Sequence, residues 1–384
     1  MSRWLILSSL TLSSGTGIRL KGIAKGLAHR GYEVWLVGEG ERDHSMVEMS
    51  YVQVEGSVHP LVTALKLFLA NLGAVIRIRP EYCIASKPLP HTVVPALLAR
   101  WFGAVTFLDF DDLESGYWQG RFWLPLLRFW ETISPRLLHS TCVHTEELAQ
   151  EVTDRAGLDS NRVLRLDQGV DVHLFSPWGN EDFPANRVIL YAAHLGVAAE
   201  GLHFVLKGFK SLVEKRNDAI LLVVGGGPLL PRFHQEVKGM GLNGMVVFAG
   251  QLHHNLMPKV MKLVRAAVNY NPPENQASRY RASVKVREYL AMGLPVATNV
   301  VGSDLNSFIP FLQVFEAGDM DEFVQTMERA IAQGRSQDSS RELRDNWSWE
   351  IVVGKFLHEL KERTAGARND QFKCLIRVRK RDSG

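Results

Sequence analysis

Leu221-Leu222-Val223-Val224-Gly225-Gly226-Gly227-Pro228 is an unbroken apolar run that ends in three glycines and a proline. A strand with one wet face alternates polar and apolar residues, whereas a run without alternation belongs to a parallel strand buried on both faces. The glycines suit either a tight turn or a close backbone approach to a ligand, and the residues leave both open. Similar runs occur at 188–193, 219–224, 245–249, 266–269, 295–298 and 313–315, and earlier at 4–9, 33–38, 51–54, 82–85, 104–109, 139–144 and 163–166. Stretches of helical period separate most of them, among them Ile18 to His29, Glu147 to Arg155 and Leu202 to Glu214. Such alternation predicts an α/β chain of parallel sheets covered by helices.

The pattern breaks from Gln168 to Arg187, where Gly169, Pro177, Gly179 and Pro184 stand among charges with no hydrophobic period. That is linker composition. The expected organisation is two doubly wound, Rossmann-like domains, 1–175 and 188–346. A helix follows at 347–364, with Trp349, Val352, Phe356 and Leu360 near one face and the option of crossing back to the first domain, and then a basic tail at 365–384. Ligands of open parallel sheets bind at the carboxyl ends of strands, so the expected site is a cleft between the two domains.

Composition supports this and excludes other classes. The chain has 384 residues, 46% hydrophobic and 22% charged, ordinary values that exclude collagen, coiled coil and wholesale disorder. The three cysteines, Cys83, Cys142 and Cys374, are an odd number without CxxC spacing, so neither a disulfide framework nor a zinc knuckle is indicated. Of the net charge of +3, the tail at 365–384 contributes +4 from six basic and two acidic residues, leaving −1 for the rest. The body is therefore not expected to bind nucleic acid; the tail is read as a solvated terminus or a contact for acidic lipid headgroups. The most apolar stretch, Leu61 to Ile78, is interrupted by Lys66, Asn71 and Arg77, which reads as a half-buried helix rather than a membrane span. Residues 4–10 read as the first strand of a cytoplasmic protein, since no small-residue cleavage site follows.

Several segments carry chemistry-bearing residues. Ser13-Ser14-Gly15-Thr16-Gly17 follows the first strand and opens a helix, a place where backbone N–H groups favour an anion, although Leu20 breaks a full GxGxxG. In Ser283-Val284-Lys285-Val286-Arg287-Glu288-Tyr289-Leu290-Ala291-Met292-Gly293-Leu294-Pro295-Val296, Ser283 is a plausible N-cap and Gly293 suits a left-handed helix end. Lys285 and Glu288 share a face, either to meet a phosphate and sugar hydroxyls or to form a surface ion pair. Asp109-Phe110-Asp111-Asp112 closes a strand. Asp111 or Asp112 there can serve an acceptor hydroxyl by accepting its hydrogen bond or assisting deprotonation, or simply cap the next element. Its literal D-x-D is discounted as a metal site. The stretch Tyr117 to Leu138 interleaves Trp118, Phe122, Trp123, Phe129 and Trp130 with Arg121, Arg128 and Arg136, which suits packed core, an acceptor-site wall or a peripheral membrane contact. His91 and His144 read as structural.

Ser283 to Val296 resembles the S-x-K-x-x-E-Y-L-A-x-G-x-P-V signature of retaining family-4 glycosyltransferases of the GT-B fold. Other segments resemble the same family in the same order: Gly15 to Val34, Gln168-Gly169-Val170-Asp171 with Phe175 and Pro177, Val223 to Pro228, Val247-Phe248-Ala249-Gly250, and Trp347-Ser348-Trp349. The resemblance spans roughly residues 4–360. It implies a GT-B fold and transfer of a sugar from a nucleotide diphosphate donor to a carbohydrate or lipid-linked acceptor, with retention and without a metal or other cofactor. It further implies that Glu288 contacts the ribose or sugar, that Ser283 and Lys285 lie near the diphosphate, and that Gly15, Gly17 and Gly226 bring backbone to the donor. The Gly250–Leu252 loop would hold the base. Three positions depart from the pattern. Tyr280 stands eight residues before Glu288 where the family often has Glu, and His194 and Glu200 stand where it has the diphosphate-binding Arg and Lys. Arg279, Arg281, Lys285 and Lys207 are candidate replacement cations. The alternatives are a non-catalytic glycan- or partner-binding module and a nucleotide-sugar epimerase.

Overall fold

Trp4, Leu5, Ile6 and Leu7 lie at the centre of a seven-stranded sheet and are fully buried, as a parallel strand covered on both faces must be. The structure is a computed structural model, and it describes residues 1–42, 46, 48–118, 120–177, 187–196 and 200–366. The chain divides into two compact units, Met1–Gly169 with the segment from Trp349 onward, and Val170–Ser348.

The first unit runs β1 (Arg3–Thr11), α1 (Gly15–Ala28), β2 (Glu33–Glu39), β3 (Ser50–Val54), α2 (Pro60–Ile78), β4 (Tyr82–Ser86), α3 (Pro90–Trp101) and β5 (Val105–Asp109). It continues through α4 (Glu114–Tyr117), α5 (Leu124–Leu137), β6 (Ser140–Val143), α6 (Glu146–Ala156) and β7 (Val163–Arg165). The sheet order is β3-β2-β1-β4-β5-β6-β7, every pairing parallel. From β1 the chain steps toward one edge and then, after β3, back across to the other. Right-handed crossovers therefore put α1 on one face and α2, α3, α5 and α6 on the opposite one.

The second unit runs β8 (Arg187–Ala192), α7 (Glu200–Lys215), β9 (Ala219–Val224), α8 (Leu230–Gly239), β10 (Val246–Gly250), α9 (Met257–Lys262), β11 (Ala266–Asn269) and α10 (Val284–Ala291). β12 (Val296–Thr298), β13 (Leu312–Val314), α11 (Met320–Ala332) and α12 (Gln337–Trp347) complete it. Its sheet order is β10-β9-β8-β11-β12-β13, also all parallel. All thirteen expected strands are present.

The helix expected over 347–364 is interrupted at Ser348, whose backbone is extended (φ −62°, ψ 153°), so α12 ends at Trp347 and α13 (Trp349–Gly366) begins after it. α13 belongs to the first unit and lies against α1. α1 allows this because Gly22 and Gly26 face it: a Cβ on Gly22 would lie 1.9 Å from the Trp349 ring, and one on Gly26 2.6 Å from the Val353 side chain. Trp349, Val352, Val353 and Phe356 are buried there with Trp4 and Phe107. The division also differs from a first domain ending at 175. Val170 and Phe175 pack in the second unit's core beside Leu190 and Met257, and Val170 N donates to Trp347 O at 3.0 Å. The tail from 367 on lies outside the described residues, as do residues 178–186 of the break.

The half-buried helix expected over 61–78 is α2. Among the described residues it is long and apolar enough to cross a membrane by length and composition, its two charges notwithstanding. It lies instead along the sheet, with Leu67, Asn71, Ala74, Val75 and Ile78 buried beneath it.

Candidate functional site

In the first unit, the carboxyl ends of β1, β4, β5 and β6 meet the start of α1. Ser14 caps α1 by accepting from Gly17 N at 3.1 Å. A Cβ on Gly17 would lie 2.3 Å from Leu12 Cα, so this glycine answers to the close approach of the helix to its own preceding turn, while Gly15 has open space around it. Asp111 is buried and fully engaged. Its Oδ2 accepts from the Thr16 hydroxyl at 2.7 Å, and Oδ1 lies 3.3 Å from the Lys87 ammonium. Burial by itself would raise its pKa; Lys87, the Thr16 hydrogen bond and Arg19 outweigh that and hold it below the ordinary carboxylate value. Asp109 takes a two-pronged contact from the buried Arg19, whose other N–H groups donate to the carbonyls of Leu166 and Asp167. Asp112 is half-buried and accepts from the Tyr117 hydroxyl at 2.8 Å.

Neither Asp111 nor Asp112 caps α4, whose N-cap is Leu113. Lys87, which sequence reasoning missed, organises this cluster. It is buried between Asp111 and Glu114, with a left-handed backbone (φ 62°) that a lysine adopts only under constraint. His91 and His144 hydrogen-bond the main-chain carbonyls of Ser9 and Asp111. Among the described residues no cluster of His, Cys, Asp and Glu is arranged to hold a metal.

In the second unit, the carboxyl ends of β8, β9, β11 and β12 surround the start of α10. The glycine loop after β9 folds over the turn after β8: Leu195 N donates to Gly226 O at 2.9 Å, and a Cβ on Gly225 (φ 141°) would meet Ala193 O at 1.8 Å. Close packing of two backbones thus accounts for Gly225, and Gly226 stands half-exposed at the bend. Ser283 occupies the N-cap of α10 without making a cap bond; its buried hydroxyl has no hydrogen-bond partner among the described residues. Its backbone N–H donates instead to Asp304 Oδ2 at 2.7 Å, and the same carboxylate holds the buried Arg287. Gly293 (φ 71°) ends the helix, and the hydroxyls of Ser339 and Ser340 satisfy its last turn by donating to the carbonyls of Leu290 and Ala291.

Lys285 and Glu288 turn inward. Lys285 Nζ donates to Ala192 O at 2.8 Å at the end of β8. Burial of the ammonium, reinforced by the Arg281 guanidinium and opposed by Glu288, pushes its pKa down to about 7. Glu288 is buried and receives His254 Nε2 on Oε1 at 2.5 Å. The His254 ring packs against Phe175, with centroids 5.1 Å apart. The surface ion pair that the spacing alone allowed does not form. Arg281 donates to Asn271 Oδ1 at 2.9 Å, and the Asn299 side chain bridges the ends of β11 and β12, its Oδ1 accepting from Asn271 N and its Nδ2 donating to Asn271 O. Leu252 is half-buried beside Met257 and Val224, at the rim of the core. His194 is exposed, as are Arg279 and Lys207, whereas the Glu200 side chain lies outside the described residues. Sequence reasoning missed His254, Asp304 and the two asparagines; a histidine and an amide in a loop carry no periodic signal.

Residues 186–333 match the family described as Glycosyl transferases group 1. That match covers most of the second unit, Val170–Ser348. A segment of 234 residues, 58% of the chain, is 24% identical to the alpha-D-kanosaminyltransferase of Streptomyces kanamyceticus. The match spans 56% of that relative's length. The whole chain is similar in structure to the sucrose-phosphate synthase of Thermosynechococcus elongatus, with a TM-score of 0.74 at 13% identity, covering 96% of this chain and 100% of that one. It is also similar to Anabaena HepE in complex with UDP-glucose, with a TM-score of 0.65 at 15% identity over 95% and 99% of the two chains. With a doubly wound sheet in each unit, the chain has the GT-B fold, and the matched segment is the one that holds Lys285, Glu288 and Ser283.

Proposed function

We propose that the chain is a metal-independent glycosyltransferase. It moves a sugar from a nucleotide diphosphate-sugar to a carbohydrate or lipid-linked acceptor, with retention of anomeric configuration, in polysaccharide or glycolipid synthesis. The observation that carries this is the start of α10. There the unpartnered Ser283 hydroxyl, the helix N-terminus and Lys285 offer donors and positive charge beside Glu288, a buried carboxylate with hydrogen-bonding capacity for sugar hydroxyls. Positive charge from Lys285, Arg281 and the helix offsets the charge that develops on the leaving diphosphate, the role a metal plays elsewhere. His194 takes part as a hydrogen-bonding group, and the Gly226 and Leu252 loops border the nucleotide. The bond from the anomeric carbon to the diphosphate breaks as the acceptor oxygen bonds on the same face, and the acceptor proton passes to a diphosphate oxygen. Within the first unit, Gly15 offers its backbone N–H for a ligand contact and Asp112 is the group to serve an acceptor hydroxyl. Asp111, locked to Lys87 and Thr16, positions rather than transfers. A lipid-linked acceptor would bring the protein to a membrane, as a peripheral partner from the cytoplasmic side.

The test is transfer from a panel of nucleotide sugars by the purified chain in excess chelator, with Glu288→Gln as control. Donor-dependent product that Glu288→Gln loses is the expected result, and NMR of the anomeric proton reads its configuration. The exposed His194, standing where a diphosphate-binding arginine was expected, favours a second reading, a non-catalytic module that binds the nucleotide sugar. Thermal stabilisation by a nucleoside diphosphate without turnover would support that reading.

A further inference from the structure

The outer surface of the first unit's α2, α3 and α5 is apolar where a soluble surface is ordinarily polar. Leu61, Leu65 and Leu69 of α2 are 75%, 58% and 59% exposed. Trp101 at the end of α3 is 81% exposed, and Phe122 and Phe129, before and on α5, are 89% and 56% exposed. Such residues scattered singly need no explanation, but here they share one side of one sheet. α2 packs against α3 and α3 against α5, and the crossovers put all three on the same face. So many large apolar side chains exposed on one face mark a surface that something covers.

Charge identifies the partner. Pro60–Ile78, Pro90–Trp101 and Leu124–Leu137 contain a single acid, Glu131. It is buried, and it accepts from Ser115 N and Arg155. The exposed charges of the three helices are Lys66, Arg77, Arg100, Arg128 and Arg136, all positive. A protein partner or a second copy would pair such a face by shape and mixed charge. A layer of leucines and aromatics whose own three helices expose only cations, with acids such as Glu146 and Asp154 confined to the neighbouring α6, matches the depth profile of an anionic bilayer, where apolar groups enter the acyl boundary and cations meet phosphates.

From this we infer that the α2–α3–α5 face of the first unit is a docking surface for anionic phospholipid bilayers. This gives the proposed peripheral membrane contact a location, and that location is wider than the aromatic stretch 117–138 on which the sequence placed it. α2 contributes by lying flat. Its inner side is committed to the sheet, where Asn71 Nδ2 donates to His91 O at 2.8 Å, so it binds in the interface plane and does not span.

The experiment is co-sedimentation of the full chain with vesicles of phosphatidylcholine, with and without ~30% phosphatidylglycerol. The wild type is expected to pellet at least about tenfold more with the anionic vesicles, the difference shrinking as salt is raised. Leu65→Glu/Leu69→Glu and, separately, Lys66→Glu/Arg128→Glu should each weaken pelleting by about tenfold or more, with the circular dichroism and melting point of the wild type. These residues belong to the first unit and α10 to the second, and donor turnover on a soluble acceptor, measured without vesicles, reports on the transferase reading independently. Wild-type protein that stays in the supernatant with both vesicles, or a leucine pair variant that pellets like the wild type, overturns the inference. So does a dimer in sedimentation equilibrium that Leu65→Glu/Leu69→Glu dissolves, because a second copy would then be the occupant.

Discussion

Glu288 and His254 hold each other because neither is well placed alone. A buried carboxylate needs a donor, and an imidazole packed on Phe175 has its ring plane already chosen. His254→Ala should therefore leave Glu288 in place but unsupported, raising the donor KM or lowering turnover by roughly tenfold, the scale of one hydrogen bond to a charged group. His254→Gln, which can still donate, should recover part of the loss; steady-state kinetics with varied donor checks both. Lys285 makes a prediction about pH. Its folded-state pKa is pushed down to about 7, well below the ~10.4 of a lysine in water. Between those values the unfolded chain holds a proton that the folded chain lacks, so stability climbs as pH rises from 7 toward 10, and below 7 the penalty of the buried ammonium is fully present. Lys285→Met should flatten that climb in a series of melting curves. A bound diphosphate would return the proton, so nucleotide affinity should weaken above pH 7 with proton uptake, measured by calorimetry in buffers of different ionisation enthalpy.

At the scale of elements, α10 is an eight-residue helix held at both ends by other parts of the second unit. Asp304 fastens its start through Ser283 N and Arg287, and Ser339 and Ser340 fasten its last turn. Asp304→Ala would strand the buried Arg287 guanidinium and should reduce stability by about 3–5 kcal/mol in urea titration, well beyond a surface ion pair. The strands were legible in the sequence because a parallel strand buried on both faces, such as Leu221 to Val224, is a short apolar run bounded by glycine or proline. The Ser283 to Val296 stretch was legible as a helix with its cap positions. Its supports were not: Asp304, His254 and Asn299 are single polar residues in loops, and only the fold brings them to α10. Lys87 was equally hidden, because a lysine after a strand reads as a surface residue until Asp111 and Glu114 are seen around it. The aromatic stretch misled in the other direction. Phe122 and Phe129 carry the composition of core, yet they face outward because the inner side of α5 is made by Glu131, Ser134 and Pro135.

At the scale of the molecule, the first unit is built from two separated parts of the chain. α13 supplies Trp349, Val353 and Phe356 to the core beside α1, and the glycines of α1 leave a groove that nothing else fills. A chain ended after Ser348 should therefore lose the cooperative unfolding of the first unit and expose apolar surface. The second unit, whose core needs no residue beyond Trp347, should keep its own transition. Calorimetry of the shortened chain, with dye binding to exposed apolar surface, checks both halves of this statement.

The same arrangement sets an order of events during synthesis. Chains emerge from the ribosome amino end first, and their leading portions ordinarily fold first. Here the leading portion waits, because the helix that closes it is translated only after the whole of Val170–Ser348. The middle of the polypeptide is thus the first to mature. Until α13 arrives, the nascent amino-terminal sheet carries a bare apolar groove at Gly22 and Gly26, open to a chaperone and vulnerable to premature termination.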